Sequence, residues 1–179
     1  MKNRVFFVLA ALFVLFLPSL ASADDDLAKH KSCTYCGMDR EKWNFSRVFI
    51  EYDDGSTDGT CSLHCAAVSL ALNLDKAPAA IWVADYDTKQ LIRAEDAVWV
   101  VGGSKPGVMS KRAKWAFADQ AASRAFIGAN GGTEAVFEQA VKVAYEDMYE
   151  DTLMIRVRRA AKRKAAEPVQ TEAVPAAQH

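Results

Sequence analysis

The residues best suited to chemistry in this 179-residue chain are its four cysteines, which fall in two pairs. Cys33 and Cys36 form a C-x2-C motif followed by Gly37 and Met38, and Cys61 and Cys65 form a C-x3-C motif that encloses His64. Thiolates and thioethers are soft donors, and sets of them take Zn(II) or Cu(I). The spacing has a geometric reason. A tight knuckle aims the sulfurs of Cys33 and Cys36 at one point, and residues four apart on the first turn of a helix, such as Cys61 and Cys65, share a face. A helix N-terminus also carries partial positive charge, which favours the thiolate that binds metal.

Three readings of the cysteines compete. An even number of cysteines in an exported chain is most simply two disulfides. The paired spacing favours a metal site over disulfides, and a Cys33–Cys36 redox dithiol comes third because the β-α-β setting that usually frames one is missing. His64 is a candidate nitrogen ligand, against the reading in which it sits at the surface or behind the ligands. Met109 lies in the polar, glycine-rich segment that begins at Gly102, where a methionine is not an obvious core residue. It is a candidate thioether ligand or a cover over the junction of two halves, whereas Met148 and Met154 are assigned to helix packing. Four thiolates suit a structural zinc, and an open set of two or three sulfurs suits Cu(I).

The elements that must position these residues can be read from periodicity. Val48, Ile50 and Tyr52 alternate in a strand over 47–52, and Asp54-Gly55 signals a hairpin leading back to Cys61. Residues 62–73, rich in Ala and Leu, predict a helix closed before Pro78, followed by a strand over 80–84. The second half reads similarly: strands over 90–93, 97–101 and 114–117, a helix from the Asp119 cap to Ala129 closed by Asn130-Gly131-Gly132, and a strand over 134–137. Phe137, Val141, Ala144, Met148, Thr152 and Ile155 then recur at helical spacing. The expected fold is α+β: two similar β-β-α-β halves with a C-terminal amphipathic helix.

The ends read differently from the body. Lys2 and Arg4, an apolar run over 5–17 and Ala21-Ser22-Ala23 predict a cleaved signal peptide over 1–23 and hence a periplasmic protein, with no lipid-attachment cysteine after the cleavage site. Residues 24–32 are expected to be a flexible lead-in, 33–140 the metal-binding domain, 141–166 a helix with a basic end, and 167–179 a disordered tail. Arg156, Arg158, Arg159, Lys162, Arg163 and Lys164 crowd into that helix, while acidic residues outnumber basic ones over the rest of the exported chain. The acidic body argues against nucleic-acid binding. The basic segment suggests weak contact with a membrane surface, against the reading of a solvated helix end. With only His30, His64 and His179 available, no Ser/His/Asp arrangement supports hydrolytic chemistry.

Taken together, Cys33-x-x-Cys36-Gly37-Met38, the hairpin to Cys61-Ser62, Ile81-Trp82-Val83-Ala84-Asp85 and Val100-Val101-Gly102-Gly103-Ser104 before Met109 resemble the NosL family. Ala116-Phe117-Ala118-Asp119, Ala125-Phe126 and Gly131-Gly132 extend the resemblance, which runs roughly over residues 30–140. NosL proteins are nitrous oxide reductase accessory proteins. The resemblance implies a periplasmic chaperone, not an enzyme, that binds Cu(I) and hands it to a copper-accepting enzyme such as nitrous oxide reductase. It also implies paired β-β-α-β halves, and Cys36, Met38 and Met109 as copper donors. Two departures stand out. Typical members are lipoproteins, and they carry one cysteine where this chain has Cys61-x3-Cys65. With His64, the added Cys65 makes the region resemble a treble-clef heavy-metal module, which implies a structural zinc beside the copper site or another metal task on the same scaffold.

Overall fold

The computed structural model describes residues 23–166. In chain order the elements are α1 (Ala23–Lys29), β1 (Val48–Tyr52), β2 (Thr57–Thr60), α2 (Leu63–Leu72), β3 (Pro78–Ala84), β4 (Leu91–Arg93), β5 (Val98–Val101), β6 (Lys114–Phe117), α3 (Gln120–Asn130), β7 (Thr133–Ala135), α4 (Phe137–Glu146) and α5 (Met148–Ala166). The fold is α+β. The first sheet has the order β2-β1-β3-β4 and the second β6-β5-β7, antiparallel throughout. Each half is therefore a β-β-α-β unit whose first strand is flanked by the second and third, the repeat expected from the sequence.

The first hairpin forms as its residues require. Gly55 takes φ 79° in the turn, and its N–H donates to the Tyr52 carbonyl at 3.0 Å; glycine adopts that backbone region without steric cost. Val48, Ile50 and Tyr52 point into a core with Ile81 and Val83 of β3, Leu63, Ala66 and Ala67 of α2, and Phe137, Ala140 and Ala144 of α4. Alternation also splits the second sheet. Trp99 and Ala116 join this core, while Val100, Trp115 and Phe117 face a second cluster with Phe126 of α3 and the cysteines. The period-two geometry of a strand gives β5 and β6 two buried faces, one for the fold and one for the site.

Asp85 ties the halves together. Its Oδ1 accepts from the N–H groups of Asp87 and Thr88 and from the Thr88 hydroxyl, and its Oδ2 accepts from the N–H of Ala118 at 2.7 Å across the junction. Burial raises the Asp85 pKa, but those hydrogen bonds outweigh it, and the net shift is downward. A carboxylate with a depressed folded pKa contributes stability above its unfolded value, and that contribution is lost as pH falls through the folded one. We expect Asp85→Ala to destabilise the fold by about 3 kcal/mol at pH 7, and the deficit to shrink as pH falls through the acid range. Denaturant midpoints at several pH values would check this; a deficit independent of pH would show that charge is not the cause.

Four expectations are corrected. The strand over 90–93 belongs to the first sheet, because β4 pairs with β3. The last strand of the repeat ends at Ala135, and Phe137 instead opens α4 and packs on Trp99 with ring centroids 5.9 Å apart. The side chain of Gln139 reaches back to accept the Val136 N–H at 3.1 Å, which starts the helix there. The amphipathic helix is interrupted at Asp147, whose carboxylate takes Arg112 from the segment before β6 and Lys114 from the start of β6. The 24–32 segment is not a loose lead-in: it holds α1, and Asp26 within it is buried against Arg40 and Arg47. The signal peptide expected over 1–23 falls, up to residue 22, outside the described residues, and so does the tail expected over 167–179.

Candidate metal centre

The sequence builds the knuckle from Cys33 to Met38. The N–H of Cys33 donates to the Met38 carbonyl at 2.8 Å, and the N–H of Gly37 donates to the Cys33 carbonyl at 2.9 Å. Gly37 has φ 73°, so the glycine after C-x2-C is what closes the loop. Thr34 fastens the knuckle to β2, donating from both its N–H and its hydroxyl to the Gly59 carbonyl, and the Tyr35 hydroxyl donates to Asp58 at 2.8 Å. Gly59 has no room for a side chain: a Cβ there would meet the His30 Cβ at 2.3 Å and the Arg40 Cζ at 2.8 Å.

Arg40 anchors this arrangement from beneath and is wholly buried. Its Nε donates to the Thr60 carbonyl, one terminal nitrogen to the Asp26 and His30 carbonyls, and the other to the Asp26 carboxylate and the Val48 carbonyl. All five guanidinium donors are therefore used. α1, the knuckle and the first hairpin meet on one side chain.

The chain then turns through Cys61 into α2, with Ser62 in the N-cap position and Cys65 in the first turn. The four cysteines converge, their sulfurs all within 4.8 Å of one another. Cys36 and Cys61 are 3.4 Å apart, Cys61 and Cys65 are 3.8 Å apart, and all four are free thiols. Sulfurs tetrahedrally placed 2.3 Å from a zinc ion would lie about 3.8 Å apart, so the set has the right span for one soft cation. Hydrogen bonds from Cys36, and then from Cys61 and Cys65, hold the Cys33 thiol far below its ordinary range. Interaction with Cys33 and Cys36, together with burial, pushes Cys61 and Cys65 up. Cys36 is shifted down as well, so the two knuckle cysteines favour the thiolate and the other pair the thiol. Metals bind thiolates, so loading one would release protons.

Three of the cysteines are buried, and Cys36 is only half-buried. Beside it opens a pocket of about 300 Å³, lined by Cys36, Cys65, His64 and Met109 together with Tyr35, Val68 and the α5 residues Thr152, Ile155, Arg156 and Arg159. Met109 reaches it from a left-handed backbone, φ 59°, which is uncommon for a bulky residue. Its loop is held tightly: a Cβ on Gly107 would lie 2.5 Å from the Ser110 carbonyl oxygen, and the Ser110 hydroxyl donates to the Arg112 carbonyl. Met38 packs against the same apolar cluster as the cysteines, and the pocket lining includes Met109 rather than Met38.

His64 is 5% exposed and lines the same pocket, with its Nδ1 3.4 Å from Oδ2 of Asp151. Burial lowers its pKa against the opposing pull of that carboxylate and so favours the neutral ring. Asp151 was not singled out from the sequence. The signal was there: it lies three residues after Met148, an acid on the apolar stripe of the predicted helix. Arg159 was read only as part of a basic run, yet it donates to the Cys36 carbonyl at 2.8 Å and so lays α5 along the site.

None of the curated proteins matches the chain. A solved structure described as the copper chaperone NosL from Shewanella denitrificans is 22% identical, over 60% of this chain and 87% of that one, with a TM-score of 0.49. The NosL family model matches residues 24–145, from α1 almost to the end of α4 and including all four cysteines and Met109, and the chain belongs to the NosL family.

Proposed function

We propose that this protein is a periplasmic Cu(I) chaperone that delivers copper to an acceptor enzyme, nitrous oxide reductase being the acceptor that its family suggests. The observation that carries the reading is the opening beside the cysteine cluster: a half-buried Cys36 shares a pocket with Cys65 and Met109, so a donor from another protein can reach the cation while other sulfurs still hold it. Cu(I) accepts two or three soft ligands, and exchange through a bridged state avoids free copper. The process is ligand exchange without a chemical transformation, which fits an accessory protein and not an enzyme. Aromatic side chains packed around the sulfurs, among them Trp43, Phe45, Tyr86, Trp115 and Phe126, exclude water from the inner side of the cluster.

Anaerobic titration of the protein with Cu(I) against a competing chelator tests this, with metal analysis of the protein as isolated. Tight uptake of Cu(I) that a chelator can retrieve is expected; zinc in the isolated protein with no tight Cu(I) uptake would end the reading. The second reading is that zinc outcome, a structural site, and the near-tetrahedral sulfur spacing is what favours it. The two readings separate again at Met109. Met109→Leu keeps the volume and removes the thioether, so Cu(I) affinity should fall about tenfold, or ~1.4 kcal/mol, with the fold intact. Unaltered affinity in the same titration would remove Met109 from the donor set.

A further inference from the structure

The whole of α5 lies beyond the residues that the family model covers, yet it supplies a buried carboxylate to the metal site. Asp151 is completely buried. Its Oδ1 accepts the N–H of Lys111 at 2.8 Å, two residues after Met109. Its Oδ2 has no hydrogen-bond partner, and neither has the Nδ1 of His64, although the two atoms are 3.4 Å apart. They are within ion-pair distance without being aligned for a hydrogen bond.

Buried polar atoms are nearly always paired, and leaving one unpaired is costly. Here two complementary ones face each other and stop short. A small rotation of the imidazole would complete the bond. His64 borders the pocket that Cys36, Cys65 and Met109 line, so a cation taken by its other nitrogen is a natural source of that rotation. A histidine that gives one ring N–H to a carboxylate is fixed in the tautomer that offers the opposite nitrogen as a metal donor.

We propose that Asp151 is a positioning residue: through Nδ1–H it orients His64 so that Nε2 becomes a nitrogen donor to Cu(I) at the pocket, next to the sulfur cluster. The same carboxylate holds the backbone beside Met109, so one α5 side chain sets a nitrogen and a thioether donor together. Copper stays Cu(I) throughout and gains Nε2 while the imidazole proton remains on Nδ1; no electron moves. The inference rests on the reading of the cargo as Cu(I).

X-ray absorption at the copper edge, on protein loaded anaerobically with one equivalent of Cu(I), tests it. The unaltered protein should show imidazole scattering beside sulfur, and His64→Leu should abolish it. Asp151→Asn is close to isosteric, but its amide can donate to Nδ1 and so favours the tautomer that carries its proton on Nε2. That variant should lose the imidazole signal, with Cu(I) affinity about 10- to 100-fold lower. Copper bound by sulfur alone in the unaltered protein would overturn the proposal and leave the chaperone reading standing, whatever the variants do. Imidazole scattering that survives in folded Asp151→Asn would overturn the role of Asp151. An unaltered protein that takes up no Cu(I) would instead fail the chaperone reading itself.

Discussion

Cys61→Ser should abolish tight binding of a soft metal. Cys61 is the sulfur that links the two motifs, 3.4 Å from Cys36 and 3.8 Å from Cys65, and it is wholly buried. A serine hydroxyl fills nearly the same space but does not ionise near neutral pH and is a hard donor, so it cannot replace a thiolate for Cu(I) or Zn(II). Losing a partner that merely orients a ligand already lowers affinity about 10- to 100-fold, so losing this ligand should lower it by more than about 100-fold. The same chelator competition measures it, with circular dichroism to confirm the fold. Metal loading should also raise the melting temperature of the unaltered protein, because a cation that binds only the folded state stabilises it by mass action. That rise should disappear in Cys61→Ser. An affinity unchanged by the substitution would move the cargo off the four-sulfur cluster and onto Cys36 with the methionines.

The second large effect is expected far from any metal. Asp26→Ala should destabilise the protein by about 3–5 kcal/mol, because it strands the buried guanidinium groups of Arg40 and Arg47 without a counter-charge. Against a typical total of about 5–15 kcal/mol, that is a large share. Buried ion pairs can often be exchanged for apolar side chains at little cost, but Arg40 is not such a case. It also satisfies the carbonyls of Asp26, His30, Val48 and Thr60, which Arg40→Met would leave unpaired. Arg40→Lys would leave most of them unpaired too, because an ammonium cannot reproduce the planar fork. Urea midpoints would measure the loss, and a midpoint shared by Asp26→Ala and the unaltered protein would show that α1 contributes nothing. Because Arg40 sits directly after the knuckle, the variant should also weaken metal binding in proportion to the fold it loosens.

Much of the site was legible from the sequence because it depends on local geometry. C-x2-C followed by glycine predicts a knuckle, and C-x3-C predicts two sulfurs on the first turn of a helix; the four thiols do converge, although Cys61 precedes the N-cap of α2 and only Cys65 lies in its first turn. The hairpin between them was marked by Asp54-Gly55, and the paired β-β-α-β halves by the alternation of strands and helices. The errors arose where a long-range partner outweighed local pattern. Residues 24–32 look soluble, and only the arginines at positions 40 and 47 turn Asp26 into a buried anchor. The helix after Phe137 has an unbroken apolar stripe, and Asp147 interrupts it because Arg112 and Lys114 hold its carboxylate.

By itself, then, the sequence determined the soft-donor chemistry, the pairing of the cysteines into two local motifs and the repeated fold, since each follows from turn residues, periodicity and side-chain type within a few positions. Only the tertiary structure decided which sulfur stays accessible, that Met109 and His64 share one pocket with Cys36 and Cys65, and that α5 lies along them through Asp151 and Arg159. Those contacts join residues tens of positions apart. Their energy comes from burying polar groups against specific partners, and a partner is fixed only when the chain has folded.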